Sequence, residues 1–177
     1  NPITEDGMKY YVFPANYPLF KAHKSNSRPI FEQIRPSFFG LKNMDPEYIS
    51  SYEEEYGIIF EFKTIKPYKL VALDDKQTQT KIYNEAPTNI QRILKRNYGY
   101  ETNKRDSSSD SDRELSNYLC DLEYEGYATN NMPTDLGIFH IELLLCNAAE
   151  GIEYVGQVTT SKTKINRIME KAQLERL

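Results

Sequence analysis

The sequence predicts an α+β domain. Short apolar or aromatic stretches with strand character recur along it, and amphipathic segments with helix-capping residues stand between them. The two kinds follow no regular βαβ alternation, so a doubly wound parallel sheet is not expected. The 177 residues suffice for one domain with a real core and fall short of two comfortable ones, so residues 1–177 are read as a single domain.

In chain order, "MKYYVF" (8–13) reads as a first strand rich in aromatics. "NYPLFKAHKSNSRP" follows as a short ordered segment entering a loop, bounded by Pro18 and Pro29. "SFFGL" (37–41) is too short to classify alone. "DPEYISSYEEEYG" carries a helix start: Asp45 as cap, Pro46 and Glu47 in the first turn, and Gly57 as stop. "GIIFEF" and "YKLVAL", joined by "KTIKP", look like a hairpin or strand pair.

"APTNIQRILKRNYG" predicts a helix capped by Thr88, with Ile90, Ile93 and Leu94 inward and Gly99 at its end. A polar stretch at 102–112 lacks apolar anchors and is expected to be a mobile loop. Ser107, Ser109 and Ser111 in it each precede an acidic residue by three positions, a pattern acidophilic kinases favour, although capping by Ser111 explains its own spacing. "SDRELSNYLCDLEYEGY" resumes as a helix, with Ser111 and Glu114 spaced as a capping box, an apolar stripe of Leu115, Leu119 and Leu122, and Gly126 at its end. "GIFHIELLLCN" (137–147) is the most apolar run and reads as a strand, with "GIEYVGQV" its expected partner across "CNAAEG". An amphipathic helix, "TSKTKINRIMEKAQLERL", closes the chain.

A net charge of −4 speaks against nonspecific nucleic-acid binding, which needs a basic surface to neutralise phosphates. No apolar run reaches the length of a bilayer span and no signal-peptide pattern opens the sequence, so no membrane association is expected. Cys120 and Cys146 sit in apolar surroundings and are expected to be reduced and buried, which suits an intracellular, cytoplasmic protein. Two histidines and two cysteines at scattered positions offer no metal-ligand spacing.

The chemistry-bearing feature is a buried-type strand holding both His140 and Glu142, which alternation puts on one face. Together with "RPSFFGLKNMDPEYISSYEEEYGIIFEFKTIKPYKLVALDD" upstream, this strand resembles the ADP-ribosyltransferase-like superfamily of the diphtheria-toxin and poly(ADP-ribose) polymerase lineage. The resemblance covers roughly residues 18–75 and 112–158. It implies two packed antiparallel-rich sheets with flanking helices, and Glu142 at a cleft between them. It also implies NAD as co-substrate and a protein or nucleic-acid acceptor.

Carried over residue by residue, Glu142 is the candidate catalytic carboxylate with His140 beside it. Phe38, Phe39, Tyr48 and Tyr52 are candidates for stacking on nicotinamide. Lys21 or His23 stands where the family has a His, Arg or Tyr on an early strand; this chain departs from the pattern there, and the small residues usually beside that position are missing. The stretches "FFGL", "LC…GY" and "FH-E-LLCN" are also similar to proteins of large cytoplasmic DNA viruses, which brings virion partners and infected-cell cytoplasm into view. Two further readings stand beside the active transferase. One is a catalytically inactive virion, scaffold or interaction protein on the same fold. The other is RNA 2′-phosphotransferase chemistry, whose basic phosphate-binding set is not found here.

Overall fold

The computed structural model describes residues 2–23, 36–40, 58–101, 109–133 and 139–158. Within them lie nine strands and four helices in the order β1 (Pro2–Glu5), β2 (Met8–Phe13), β3 (Pro18–His23), β4 (Ser37–Gly40), β5 (Ile58–Thr64), β6 (Tyr68–Ala72), α1 (Lys76–Glu85), α2 (Thr88–Asn97), α3 (Ser109–Asp121), β7 (Gly126–Pro133), β8 (Phe139–Leu145), α4 (Ala148–Gly151) and β9 (Ile152–Val158). The strands form one sheet in the order β1-β2-β6-β7-β8-β4-β3-β5-β9. Only the β6–β7 pair is parallel. The mixed α and β content agrees with the expected class, but there is one sheet rather than two.

Chain connectivity forbids that sheet from being flat. β2 is second and β3 seventh in the order, yet only residues 14–17 join them; β6 is third and β5 eighth, yet only residues 65–67 join those. Five strand spacings are about 24 Å in a flat sheet. The four Cα steps from Thr64 to Tyr68 reach at most about 14 Å. The sheet therefore curls until its two limbs face each other. Leu70, Ala128, Leu143 and Leu145 of one limb meet Leu19, Phe60, Phe62 and Ile152 of the other in a single buried cluster that also takes in Phe39 and Tyr68.

Thr64 fastens the limbs. Its buried hydroxyl accepts a hydrogen bond from the Tyr17 amide (2.8 Å) and donates to the Pro14 carbonyl (2.8 Å). Its own amide donates to the Tyr17 carbonyl (3.0 Å), and the next amide, of Ile65, donates to the Gly151 carbonyl (2.9 Å).

The three longer helices form the crossover between the parallel strands β6 and β7 and pack on the convex side. Ile82 of α1, Ile90, Ile93 and Leu94 of α2, and Leu115 and Leu119 of α3 bury against Met8, Tyr10, Val71, Tyr127 and Leu144. α2 presents the apolar residues expected of it, and α3 buries Leu115 and Leu119, but Leu122 lies past the helix end and is exposed. α2 ends as Gly99 suggests, with the Tyr100 amide donating back to the Leu94 carbonyl (3.0 Å). Thr88 is the first helical residue of α2 rather than its cap, which is Pro87.

Other expectations need correction. β5 and β6 are not a hairpin: β5 pairs with β3 and β9, and β6 with β2 and β7. Nor does β9 pair with β8, because the short helix α4 lifts the chain across to the far edge, onto β5. α3 starts at Ser109, so residues 109–112 belong to a helix and Ser111 stands inside its first turn. The rest of the expected loop, the helix expected over 45–57 and the closing helix from 160 lie outside the described residues.

The cysteines are joined rather than free. α3 ends at Asp121 rather than at Gly126, which instead begins β7 after residues 122–125, antiparallel to β8, and this brings the last turn of α3 beside the end of β8. Gly126 has φ 145, and a side chain there would collide with the Leu144 carbonyl, so glycine is required at this approach. Cys120 and Cys146 meet with their Cα atoms 5.6 Å apart and form a disulfide. The expectation of an intracellular compartment drew on reduced cysteines, and the disulfide removes that support. None of the described helices is long and apolar enough to cross a membrane.

Two stability predictions follow from these fastenings. Thr64→Val keeps the shape but strands the Tyr17 amide and the Pro14 carbonyl; urea unfolding should show a loss of about 2 kcal/mol or more, while Thr64→Ser should retain most of it. Closing a loop over a separation of 26 residues is worth about 3 kcal/mol through the unfolded chain. Reduction, or the Cys120→Ala/Cys146→Ala pair, should then lower the calorimetric Tm by roughly 6–12 °C with the far-ultraviolet spectrum unchanged.

Candidate functional site

Four of the expected site residues gather at β4, the shortest inner strand: Phe38 and Phe39 on it, and Lys21 and Glu142 on β3 and β8 to either side. β4 is held chiefly by β8, through Ser37↔Leu145, Phe38↔Leu144, Phe39↔Leu143 and Gly40↔Glu142. Among the described residues it shares one pair with β3, Phe20↔Gly40. β3 is instead committed along its whole length to β5, from Pro18↔Lys63 to His23↔Ile58. On the Lys21–Phe39 side of that pair the β3–β4 ladder does not continue among the described residues, which leaves a seam there.

Lys21 fills that seam. Its ammonium donates to the Phe38 carbonyl (2.7 Å) and lies 5.1 Å from the centre of the Phe39 ring. Burial pushes its pKa down to about 8, and the Glu142 carboxylate, which favours the charged form, only partly offsets this. Among the described residues the ammonium thus makes one hydrogen bond, to a neutral acceptor, and the described ion pairs, Lys63–Glu153, Lys69–Glu5 and Lys95–Glu101, all lie elsewhere.

Glu142 is half-buried near the middle of the sheet, opposite Thr129 of β7 and Gly40 of β4. Its cross-strand neighbours are thus a buried threonine and a residue without a side chain. Strand alternation puts Glu142, Gly40 and Phe20 on one face, and Lys21, Phe39 and Leu143 on the other. The cation and the carboxylate flank β4 from opposite sides of the sheet, coupled by their fields. Glu142 is not at a cleft between two sheets, since there is only one sheet.

The remaining candidates are spread around this pair. Phe39 is 1 % exposed and meets Phe62 edge-on at 5.8 Å. Phe38 points the other way and meets Tyr127 edge-on at 6.1 Å. Both rings belong to the packing of the two cores. His140 lies on β8 opposite Met132, and His23 ends β3 opposite Ile58. Tyr48 and Tyr52 lie outside the described residues.

A phosphate-rich nucleotide carrying a positively charged ring asks for a cation, a carboxylate and an aromatic platform. Lys21 and Glu142 fit the first two needs; Phe38 and Phe39, as packed, do not supply the third. Among the described residues no group of three or more His, Cys, Asp or Glu side chains could hold a metal ion.

The Lys21–Phe38 carbonyl contact is the part of the site that the sequence did not announce, because it depends on β3 and β4 separating after one pair. Compared with protein-family models, curated proteins and solved structures, the chain finds no match.

The depressed pKa of Lys21 has a measurable consequence for stability. In the unfolded chain the group titrates near 10.5 and in the folded one near 8. Between those values the unfolded state binds more protons, so stability should rise with pH across pH 8–10.5. Below pH 8 the full cost of the buried charge is present, on the order of 3 kcal/mol. Chemical unfolding at several pH values should show this slope in the parent chain and not in Lys21→Met.

Proposed function

We propose that this chain is an ADP-ribosyltransferase-like protein that binds NAD and transfers ADP-ribose to a protein or nucleic-acid acceptor. The observation that carries the reading is the placement of Lys21 and Glu142 about β4, each within the other's field. Breaking a nicotinamide–ribose bond develops positive charge on the sugar, and a fixed carboxylate such as Glu142 stabilises it. The same carboxylate can hold a ribose hydroxyl and so orient the sugar. Lys21, still mostly protonated at pH 7, supplies charge for the pyrophosphate. His140, two residues from Glu142 on the same strand, is assigned to positioning, and His23 to the cationic end of the site. With Phe38 and Phe39 committed to the cores, the nicotinamide stack falls to Tyr48 and Tyr52 in this reading.

A second reading is a non-catalytic interaction protein on the same fold, serving as a scaffold or in a virion. Two observations favour it: the aromatic pair is spent on packing, and Lys21 and Glu142 occupy opposite faces of the sheet.

The readings separate experimentally. On the transferase reading, calorimetry detects NAD binding, and Glu142→Gln lowers turnover by about 10²–10³-fold, the effect of losing one electrostatic stabiliser, with NAD affinity little changed. If millimolar NAD gives no heat and Glu142→Gln alters only the melting temperature, the interaction reading stands.

A further inference from the structure

We infer that Lys21 is a nucleophilic amine and that the β3–β4 seam is a covalent capture site for small uncharged aldehydes. The inference goes beyond the nucleotide reading and does not depend on it.

An ammonium removed from water needs several acceptors or a contacting carboxylate to remain favourable. Lys21 has one carbonyl, of Phe38, and the face of one ring, Phe39. Charged positions on β5 and β8 are Glu61, Lys63 and Glu142, and alternation puts all three on the opposite face of the sheet. This environment raises the share of uncharged amine, the nucleophilic form, above that of a solvated lysine, although the ammonium remains the major form at pH 7. The direction in which burial moves the group agrees.

Access and selectivity follow from the same geometry. Lys21 is half-buried rather than sealed. Its ammonium lies where β3 and β4 are no longer paired, and Phe39 and the cross-strand Phe60 make the surroundings apolar. An uncharged carbonyl compound suits such a seam better than an anion does. Lys63, Lys69 and Lys95 each stand within ion-pair distance of a carboxylate at the surface.

The chemistry balances without any further reagent. Lys21 Nζ, as the free amine, donates its lone pair to the carbonyl carbon; the C–N bond forms as the π pair moves to oxygen. A proton passes from nitrogen to that oxygen through water. The carbinolamine then loses one water, leaving a C=N imine, so amine and aldehyde give imine and water.

The test is to incubate the full chain with limiting propionaldehyde and cyanoborohydride at pH 7, without NAD, and to map the reduced adducts by peptide mass spectrometry. Lys21 should be labelled on the order of tenfold faster than Lys9 or Lys66, given the larger share of free amine at the lower pKa. Its labelling rate should rise with pH and level off above pH 8. Lys21→Arg should abolish this fast adduct and leave the slow ones. Labelling of Lys21 at or below the rate of Lys9 and Lys66, or a pH profile that keeps climbing to 10, overturns the inference. Both readouts come from the parent chain, so they hold even if the variant fails to fold.

Discussion

Two short connections govern this molecule. Residues 14–17 and 65–67 each join strands that lie five places apart in one sheet, and neither could do so if the sheet were open. Closure is thus a condition of chain continuity as well as a result of burying apolar surface. Thr64 stands where both connections come together, and its hydroxyl bridges the chain between β2 and β3 to the end of β5. An apolar side chain of the same shape could fill that space. It could not serve the amide of Tyr17, a buried residue, or the carbonyl of Pro14.

The same closure explains the seam. β3 is pulled toward β5 by six consecutive pairs, whereas β4 follows β8 through four, and one pair remains between β3 and β4. Beyond that pair the Phe38 carbonyl of β4 receives the Lys21 ammonium. A lysine is long enough to reach across such a gap, and the Phe39 face receives its charge. The cost appears as the depressed basicity of the amine.

Local signals in the sequence were readable where the chain decides its own conformation. β2, α2 and the strand character of 58–62, 68–73 and 139–145 follow from alternation, aromatic content and apolar spacing. α1 was missed because "KQTQTKIYNE" is nearly all polar, although Asp75 caps it by accepting from the Thr78 amide and hydroxyl. β7 was missed because "GYATNNMP" looks like a loop; it pairs with β6 and β8 along a bulged ladder that tolerates its paired asparagines. Strand partners were out of reach for a different reason. β5 and β6 look like a hairpin in sequence, and only the closure of the sheet sends each to other neighbours. The disulfide depends in the same way on the register of β7 against β8. Of the candidate site, Lys21 and Glu142 did come to the same short strand, but no sequence pattern could tell which face each would take.

The run "GIFHIELLLCN" can now be explained from its neighbours. Leu143 and Leu145 enter the core between the limbs, while Leu144 faces the helices with Tyr127. β8 is therefore apolar on both sides wherever helices cover one face and the opposite limb covers the other. Two residues before Leu144, the cross-strand neighbours change to Thr129 and Gly40, and burial falls from complete to partial. A leucine at 142 would extend the convex core past its apolar partners. A carboxylate there can remain hydrated and carry a field through the sheet to Lys21. The one acidic residue of the strand thus stands where double coverage ends, beside the seam that the closed sheet leaves open.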